Sequence, residues 1–165
     1  MMTIRRLNPI ADITLFNQSY SWLEQSPRWR RETEAVFGTL DYHEYIAALA
    51  NPERCDIGIF ECDTFTALVT LTLRAPAIYE VHFEARRGAS PRAVVQAGWE
   101  IRDQMFDYYD MQVAFTWTPH WNRRVLAINK AIGFSPDNVS MFRGVARNQP
   151  IEWVRYSLSK ERNGR

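Results

Sequence analysis

The apolar positions of this chain keep two periods, and the switches between them mark out its elements. In residues 65–73, Phe65, Ala67, Val69, Leu71 and Leu73 alternate with Thr66, Leu68, Thr70 and Thr72. A period of two predicts a strand. Residues 56–61 read as a strand before it, and Cys62-Asp63 predicts the turn of a hairpin. In the next run, Ile78, Glu80, His82 and Glu84 fall on one side of a strand and Tyr79, Val81 and Phe83 on the other. Residues 12–25 instead space Leu15, Phe16, Tyr20 and Leu23 near the helical period, with Asp12 as N-cap and Ser26-Pro27 as the stop. Residues 41–50 read as a second helix, capped by Asp41 and closed by Asn51-Pro52.

A long helix is predicted from Ser90-Pro91 to about Tyr109. Ser90 offers a capping oxygen, Pro91 suits the first helical position, and Val94, Val95, Gly98, Ile101, Met105 and Phe106 supply its apolar side. The last helix, 122–132, is closed by Gly133 at the C′ position. Strands are expected at 3–7, 112–118, 139–145 and 152–159, while the arginine-rich stretch 27–40 fits neither period. The order β-α-α-β-β-β-α-β-α-β-β predicts a mixed α/β (α+β) fold. It has a mostly antiparallel twisted sheet, one parallel strand pair joined by a crossover helix, and about four flanking helices.

A chain of 165 residues with 46% hydrophobic and 24% charged residues is expected to form one globular domain, 1–165. The 20 Lys+Arg against 19 Asp+Glu give a net charge of +1, so no global field points to nucleic acid. No apolar run approaches the roughly 18 residues needed to span a bilayer, and no signal peptide follows Met1, so a cytoplasmic protein without membrane contact is expected. Cys55 and Cys62 read as reduced thiols, and three His and two Cys show no metal-ligand spacing.

The candidate chemistry lies in the crossover. The strand at 78–83 runs into Arg86-Arg87-Gly88-Ala89-Ser90, which opens the long helix. A helix N-terminus carries unpaired N–H groups and partial positive charge, and a Gly-Ala loop lets phosphate oxygens approach the backbone. Arg86, Arg87 and Arg92 can add charge-assisted contacts. A βα turn with Gly and Arg is also common without any ligand.

The second signal is Asn122 at the end of the next strand, an amphipathic helix, and Gly133-Phe134 eleven and twelve residues on. This spacing resembles the closing helix of the GNAT superfamily of acyl-CoA-dependent N-acetyltransferases. The element order resembles that family over nearly the whole chain, and the motifs over residues 78–134. The resemblance implies acetyl-CoA (coenzyme A) as cofactor, lying where the parallel strands splay apart. Backbone on the strand before the loop, around Val81 and Phe83, would pair with the pantetheine arm. The loop Arg86, Arg87, Gly88, Ala89, Ser90 and Arg92 would hold the pyrophosphate, and Asn122 with Arg123 would close on the arm from the other side. It further implies transfer of acetyl to a primary amine, of a small molecule or a peptide, by direct attack on the thioester. A monomer or homodimer is expected, the closing strands 139–145 and 152–159 offering an edge that could pair between protomers.

The chain also departs from that pattern. Arg86 and Arg87 do not keep the usual register with Gly88 and Ala89, and Asn129 stands where many members carry the Tyr that protonates the leaving thiolate. His120 and Tyr156 are the substitutes considered for that acid. Glu80, His82 and Glu84 are the candidates for the base, with Glu80 first; its structural alternative is a strand carboxylate paired with a neighbouring Arg or Lys. The catalytic candidates are thus Glu80 and His120. Tyr20, Trp22 and Trp29, with Arg28, Arg30 and Arg31, either pack structurally or line an acceptor cleft suited to an anionic portion. A GNAT-like module that binds without catalysing transfer, or an unrelated α+β binding domain, are the competing readings.

Overall fold

A computed structural model describes residues 3–6, 8, 11–24, 41–43, 47, 56–62, 65–85, 89–146 and 149–160. Seven strands form one sheet: β1 (Thr3–Arg6), β2 (Asp56–Cys62), β3 (Phe65–Ala75), β4 (Ile78–Ala85), β5 (Val113–Pro119), β6 (Ser135–Ala146) and β7 (Gln149–Ser159). Three helices are described in full: α1 (Ile13–Glu24), α2 (Pro91–Tyr108) and α3 (Arg123–Ile132). The expected fourth helix, 41–50, falls largely outside the described residues, although Tyr42, His43 and Ala47 are helical. Asp41 Oδ1 accepts from the His43 N–H at 2.9 Å, as a cap would. At α1 the predicted Asp12 cap becomes a reciprocal pair. Asn8 Oδ1 accepts from the Ala11 N–H at 3.0 Å, and Asp12 Oδ2 accepts from the Asn8 N–H at 2.8 Å.

The strand order is β1-β2-β3-β4-β5-β7-β6. The 56–73 hairpin forms in the expected place, with Cys62 opposite Phe65. Every neighbouring pair is antiparallel except β4 and β5. β7 is interior, flanked by β5 and β6, so only β6 is left as an edge at that end. β5 begins where the β3–β4 turn captures it: the Gln112 and Val113 N–H groups both donate to Ala77 O, at 2.8 and 3.1 Å.

The core lies between the sheet and α2. Val94, Ala97, Gly98, Ile101, Met105 and Phe106 are buried at spacings of three and four along the helix. Val69 and Leu71 of β3, Val81 of β4, Ala114 of β5, Leu158 of β7 and Met111 join that cluster. Each large aliphatic or aromatic side chain so buried stabilises the fold by about 1.5–3 kcal/mol. Ala97 takes the place expected for Val95, which is half-buried. Ser90 Oγ accepts from the Ala93 N–H at 3.1 Å and caps α2, with Pro91 in the first turn.

α3 closes as its sequence predicts. Gly133 has φ of 110°, its N–H reaches Lys130 O, and the Phe134 N–H donates to Asn129 O at 3.0 Å. This is the left-handed C′ arrangement that glycine permits. Two α2 side chains then bind α3 carbonyls: Trp99 Nε1 donates to Ala131 O and Arg102 Nη1 to Ile132 O, both at 2.8 Å. The helices meet at Gly98, where a Cβ would stand 2.3 Å from Ile132 Cδ1 and 2.6 Å from Ile132 Cγ1. Gly98→Val is therefore expected to cost about 1–3 kcal/mol through overpacking, read as a lower Tm in a thermal melt. An unchanged Tm would mean that the helices do not pack this closely.

Candidate active site

The parallel pair is short. Ile78, Tyr79 and Glu80 pair with Val113, Ala114 and Phe115, and the ladder stops there. Both strands continue, β4 to Ala85 and β5 to Pro119. β3 still pairs with the far edge of β4, and β7 with the far edge of β5. The backbone groups that point from Val81–Ala85 and Thr116–Pro119 toward the gap thus have no ladder partner. Such groups need hydrogen bonds from elsewhere. An extended ligand with amide groups fits that need.

Two capped helices frame the opening. Ser90 starts α2 five residues beyond β4, and Asn122 starts α3 three residues beyond β5. Asn122 is buried at 4% exposure, and its Oδ1 accepts from the Val125 N–H at 3.4 Å. Ala89, Ser90 and Arg92 stand at the α2 end, Ser90 and Arg92 exposed. Arg123 is exposed in the first turn of α3. Arg86, Arg87 and Gly88 lie outside the described residues, as do Arg28, Trp29, Arg30 and Arg31.

Strand alternation sorts the rest. Tyr79, Val81 and Phe83 pack on the α2 core, so Glu80 and His82 project from the opposite face. Glu80 is 7% exposed. Its Oε2 accepts from Arg74 Nε at 2.7 Å, and His82 Nε2 lies 2.8 Å from its Oε1. Burial pushes the Glu80 carboxyl up, but the His82 hydrogen bond and the charges of His82 and Arg74 outweigh it, and the net shift is downward. Glu80 is therefore ionised at neutral pH with both oxygens engaged. This matches the paired-carboxylate alternative and makes Glu80 a poor proton acceptor. An ionised carboxylate only accepts hydrogen bonds, so the proton of His82 sits on Nε2 when the ring is neutral. Nδ1 is then the basic atom, in a side chain 20% exposed.

On the same face of β5 stand Phe115 and Trp117, and on β7 Arg155 and Ser157 lie opposite Trp117 and Phe115. Glu80, Phe115 and Ser157 form one row across three strands. His82 on one side of the gap and Trp117 with Arg155 on the other stand two residues further on, where the strands no longer pair.

His120 is placed differently. It is exposed, its N–H donates to Glu152 O at 2.9 Å, and its Nδ1 is 3.8 Å from Glu152 Oε2. These contacts are on β7, across β5 from Glu80. Asn129 is buried and donates from Nδ2 to Thr118 Oγ1 at 3.0 Å, tying α3 to the end of β5. Tyr156 is buried on β7 opposite Thr116, on the face away from His82. Arg74, Asp137 and Arg155 were not singled out by sequence reasoning. Arg74 comes beside Glu80 only through the β3–β4 turn, and Asp137 beside Arg155 only through the β6–β7 register, so no local spacing announces either pair.

Among the described residues no cluster of three metal-ligating side chains occurs and no helix is long and apolar enough to cross a membrane.

No protein-family profile matches the chain, and no curated protein matches it in sequence. Solved structures do match in three dimensions. A spermidine N-acetyltransferase chimera, SpeG from Vibrio cholerae with hSSAT, superposes with a TM-score of 0.74 at 10% identity, covering 96% of this chain and 97% of that one. AAC(6')-Ib in complex with paromomycin and acetyl-CoA gives 0.68 at 12% identity, covering 99% and 96%. RimL, a ribosomal L7/L12 alpha-N-protein acetyltransferase in complex with coenzyme A, gives 0.67 at 12% identity, covering 96% and 93%. With its seven-stranded sheet opened at one parallel pair, the chain has the fold of the GNAT acetyltransferases.

Proposed function

We propose that the protein is an N-acetyltransferase that moves an acetyl group from acetyl-CoA to a primary amine. The observation that carries this reading is the β4–β5 gap, where two neighbouring strands lose their ladder between the capped starts of α2 and α3. Structural neighbours solved with acetyl-CoA or coenzyme A support the same cofactor here.

The residues present fit it. Backbone of Val81 and Phe83 would face the pantetheine arm from β4, Asn122 and Arg123 would approach it from α3, and Ala89, Ser90 and Arg92, at the positive end of α2, would meet the pyrophosphate. Arg86, Arg87 and Gly88 complete this set on the sequence pattern alone. When bound, acetyl-CoA supplies acetyl as a thioester, and transfer forms an N–C bond as the C–S bond breaks.

The chain's own contribution is position and proton transfer. Arg74 holds Glu80, Glu80 orients His82 through Nε2, and His82 Nδ1 takes the proton that the amine loses. Glu80 is in this account a positioning residue, and His120 lies apart from the reaction. The binding-module reading keeps one supporting observation: Asn129 is committed to Thr118 and offers no acidic proton to a departing thiolate.

Acetyl-CoA at 100 times its dissociation constant is expected to stabilise the fold by about 2.7 kcal/mol, read as a rise in Tm. No rise at millimolar acetyl-CoA would overturn the transferase reading. A rise without turnover over a panel of amines would select the binding module.

A further inference from the structure

The charged groups on the face of the sheet away from α2 are not equivalent. Arg74 spends its Nε and Nη2 on Glu80. Arg155 is held differently. Its Nε donates to Asp137 Oδ2 at 2.6 Å, and Asp137 is fixed in turn by the Ser157 hydroxyl, which donates to Oδ1. The guanidinium lies over two rings, 5.5 Å from the Phe115 centroid and 5.9 Å from that of Trp117. Aromatic faces at this range attract a cation and limit its rotamers. Three strands therefore fix one arginine: Asp137 from β6, Ser157 from β7 itself, and the two rings from β5.

The fixing uses one nitrogen. Nη1 and Nη2 have no acceptor among the described residues, and the side chain is 35% exposed. An arginine that only closed an ion pair would gain most from a two-point grip on its carboxylate. Here Asp137 gives one oxygen to Nε and the other to Ser157, and no described residue takes up the Nη end. That end is a planar pair of donors, matched to the two oxygens of a carboxylate. Its surroundings bear on the transfer site. Arg155 stands opposite Trp117, in the part of β5 that has left β4, and His82 stands on the facing lip. Adjacent strands lie about 4.8 Å apart, so β4 and β7 are separated by roughly 10 Å where all three are paired, and by more across the gap. A molecule that reaches from one to the other spans the length of an amino acid side chain or a short peptide.

We propose that Arg155 is a specificity-determining residue that receives a carboxylate of the acceptor, so that the acceptors are amines carrying a carboxylate, such as amino acids or short peptides. The proposal rests on the transferase reading above and deepens it. The rings of Phe115 and Trp117 give the intervening carbon chain an apolar floor, and Asp137 presets the guanidinium so that little side-chain freedom is lost on binding.

The test uses the full chain with acetyl-CoA and pairs each of several ω-amino acids and short peptides, whose amine and carboxylate lie at opposite ends of a chain, with the carboxamide of that carboxylate. The acids are expected to show a KM at least about tenfold below that of their amides, since each amide leaves the Nη donors without a charged partner. Arg155→Gln is expected to raise KM for the acids by about tenfold or more and to shift the amides by much less. Arg155→Lys, which keeps charge but not the fork, is expected to recover part of the loss. A merely structural arginine would move both members of each pair alike, and that result, or a wild-type preference for the amides, overturns the proposal. If acetyl-CoA gives no rise in Tm, the transferase reading falls by itself. The anion site is then read by calorimetric titration of the protein with the same acids. Heat present in the wild type and absent in Arg155→Gln upholds the carboxylate site, and equal heats overturn it.

Discussion

His82→Ala is expected to reduce turnover of acetyl-CoA with an amine acceptor by about 10²-fold or more, the usual contribution of a positioned base, while the acetyl-CoA-induced rise in Tm stays in place. The expectation follows from the electrostatics of its neighbour. Glu80 is the buried carboxylate on this face, yet Arg74 and His82 hold its pKa below the usual range and fill both oxygens. A base of depressed pKa whose acceptor sites are occupied has little power to take a proton. The imidazole beside it keeps one nitrogen for Glu80 and one for solvent or substrate. Comparing His82→Ala with Glu80→Gln separates the two. Gln keeps an oxygen that accepts from Nε2, so the ring stays oriented and Glu80→Gln loses less activity. The opposite order, with Glu80→Gln severe and His82→Ala mild, would return the role of base to Glu80. Loss of the Tm rise in His82→Ala would show instead that the variant disturbs the cofactor cleft.

The largest loss of stability is expected from Trp153→Ala. Trp153 is 2% exposed on β7, packs with Ile151, Trp117 and Met141, and donates from Nε1 to Arg143 O at 3.0 Å. Truncating a buried Trp costs about 3–5 kcal/mol, a large part of the roughly 5–15 kcal/mol that holds a domain together. Each kcal/mol lowers Tm by about 2–4 °C for a chain of this size, so a fall of about 6–20 °C is expected in a thermal melt. Trp153→Phe keeps most of the apolar surface and loses the hydrogen bond, so it should fall by only a part of this. A shift of less than 2 °C in Trp153→Ala would mean that the β6–β7 arm carries no core. The same side chain supports Trp117, so the site and the stability of this arm share one cluster.

Most of the element pattern could be read along the chain because the forces that set it are local. The Ser90 cap, the Pro91 start and the Gly133 stop act within four residues, and each forms as its spacing predicts. The helical side of α2 and the two faces of β4 follow from periods of 3.6 and 2, which need no tertiary contact to be visible. The Asn122-to-Gly133-Phe134 spacing carried the fold for the same reason. The exceptions are also local. Asn8 shares the cap expected of Asp12, because the chain turns one residue group earlier than the periodic pattern shows.

The site depended on distances that no spacing encodes. Glu80 was visible as a carboxylate on a strand face, but its state was decided by His82 together with Arg74, the latter six residues away around a turn with a register shift between Leu73 and Ala75. His120 was a second catalytic candidate in the sequence; the sheet order placed β7 beside it and β4 on the other side of β5. Asn129, a departure from the family pattern, acquired its partner Thr118 only when α3 folded back on β5. Arg155 gained its grip from Asp137, Phe115 and Trp117, three residues on two other strands. The sequence by itself determined which of the described segments are helix and strand, and that a parallel pair would bracket a capped helix, but not every boundary: β6 begins at Ser135 and β7 at Gln149, ahead of the expected 139 and 152, because their ends are set by pairing with each other. Tertiary structure decided which charged groups neutralise each other and which remain open, because charge state and burial depend on neighbours brought together across strands rather than along them.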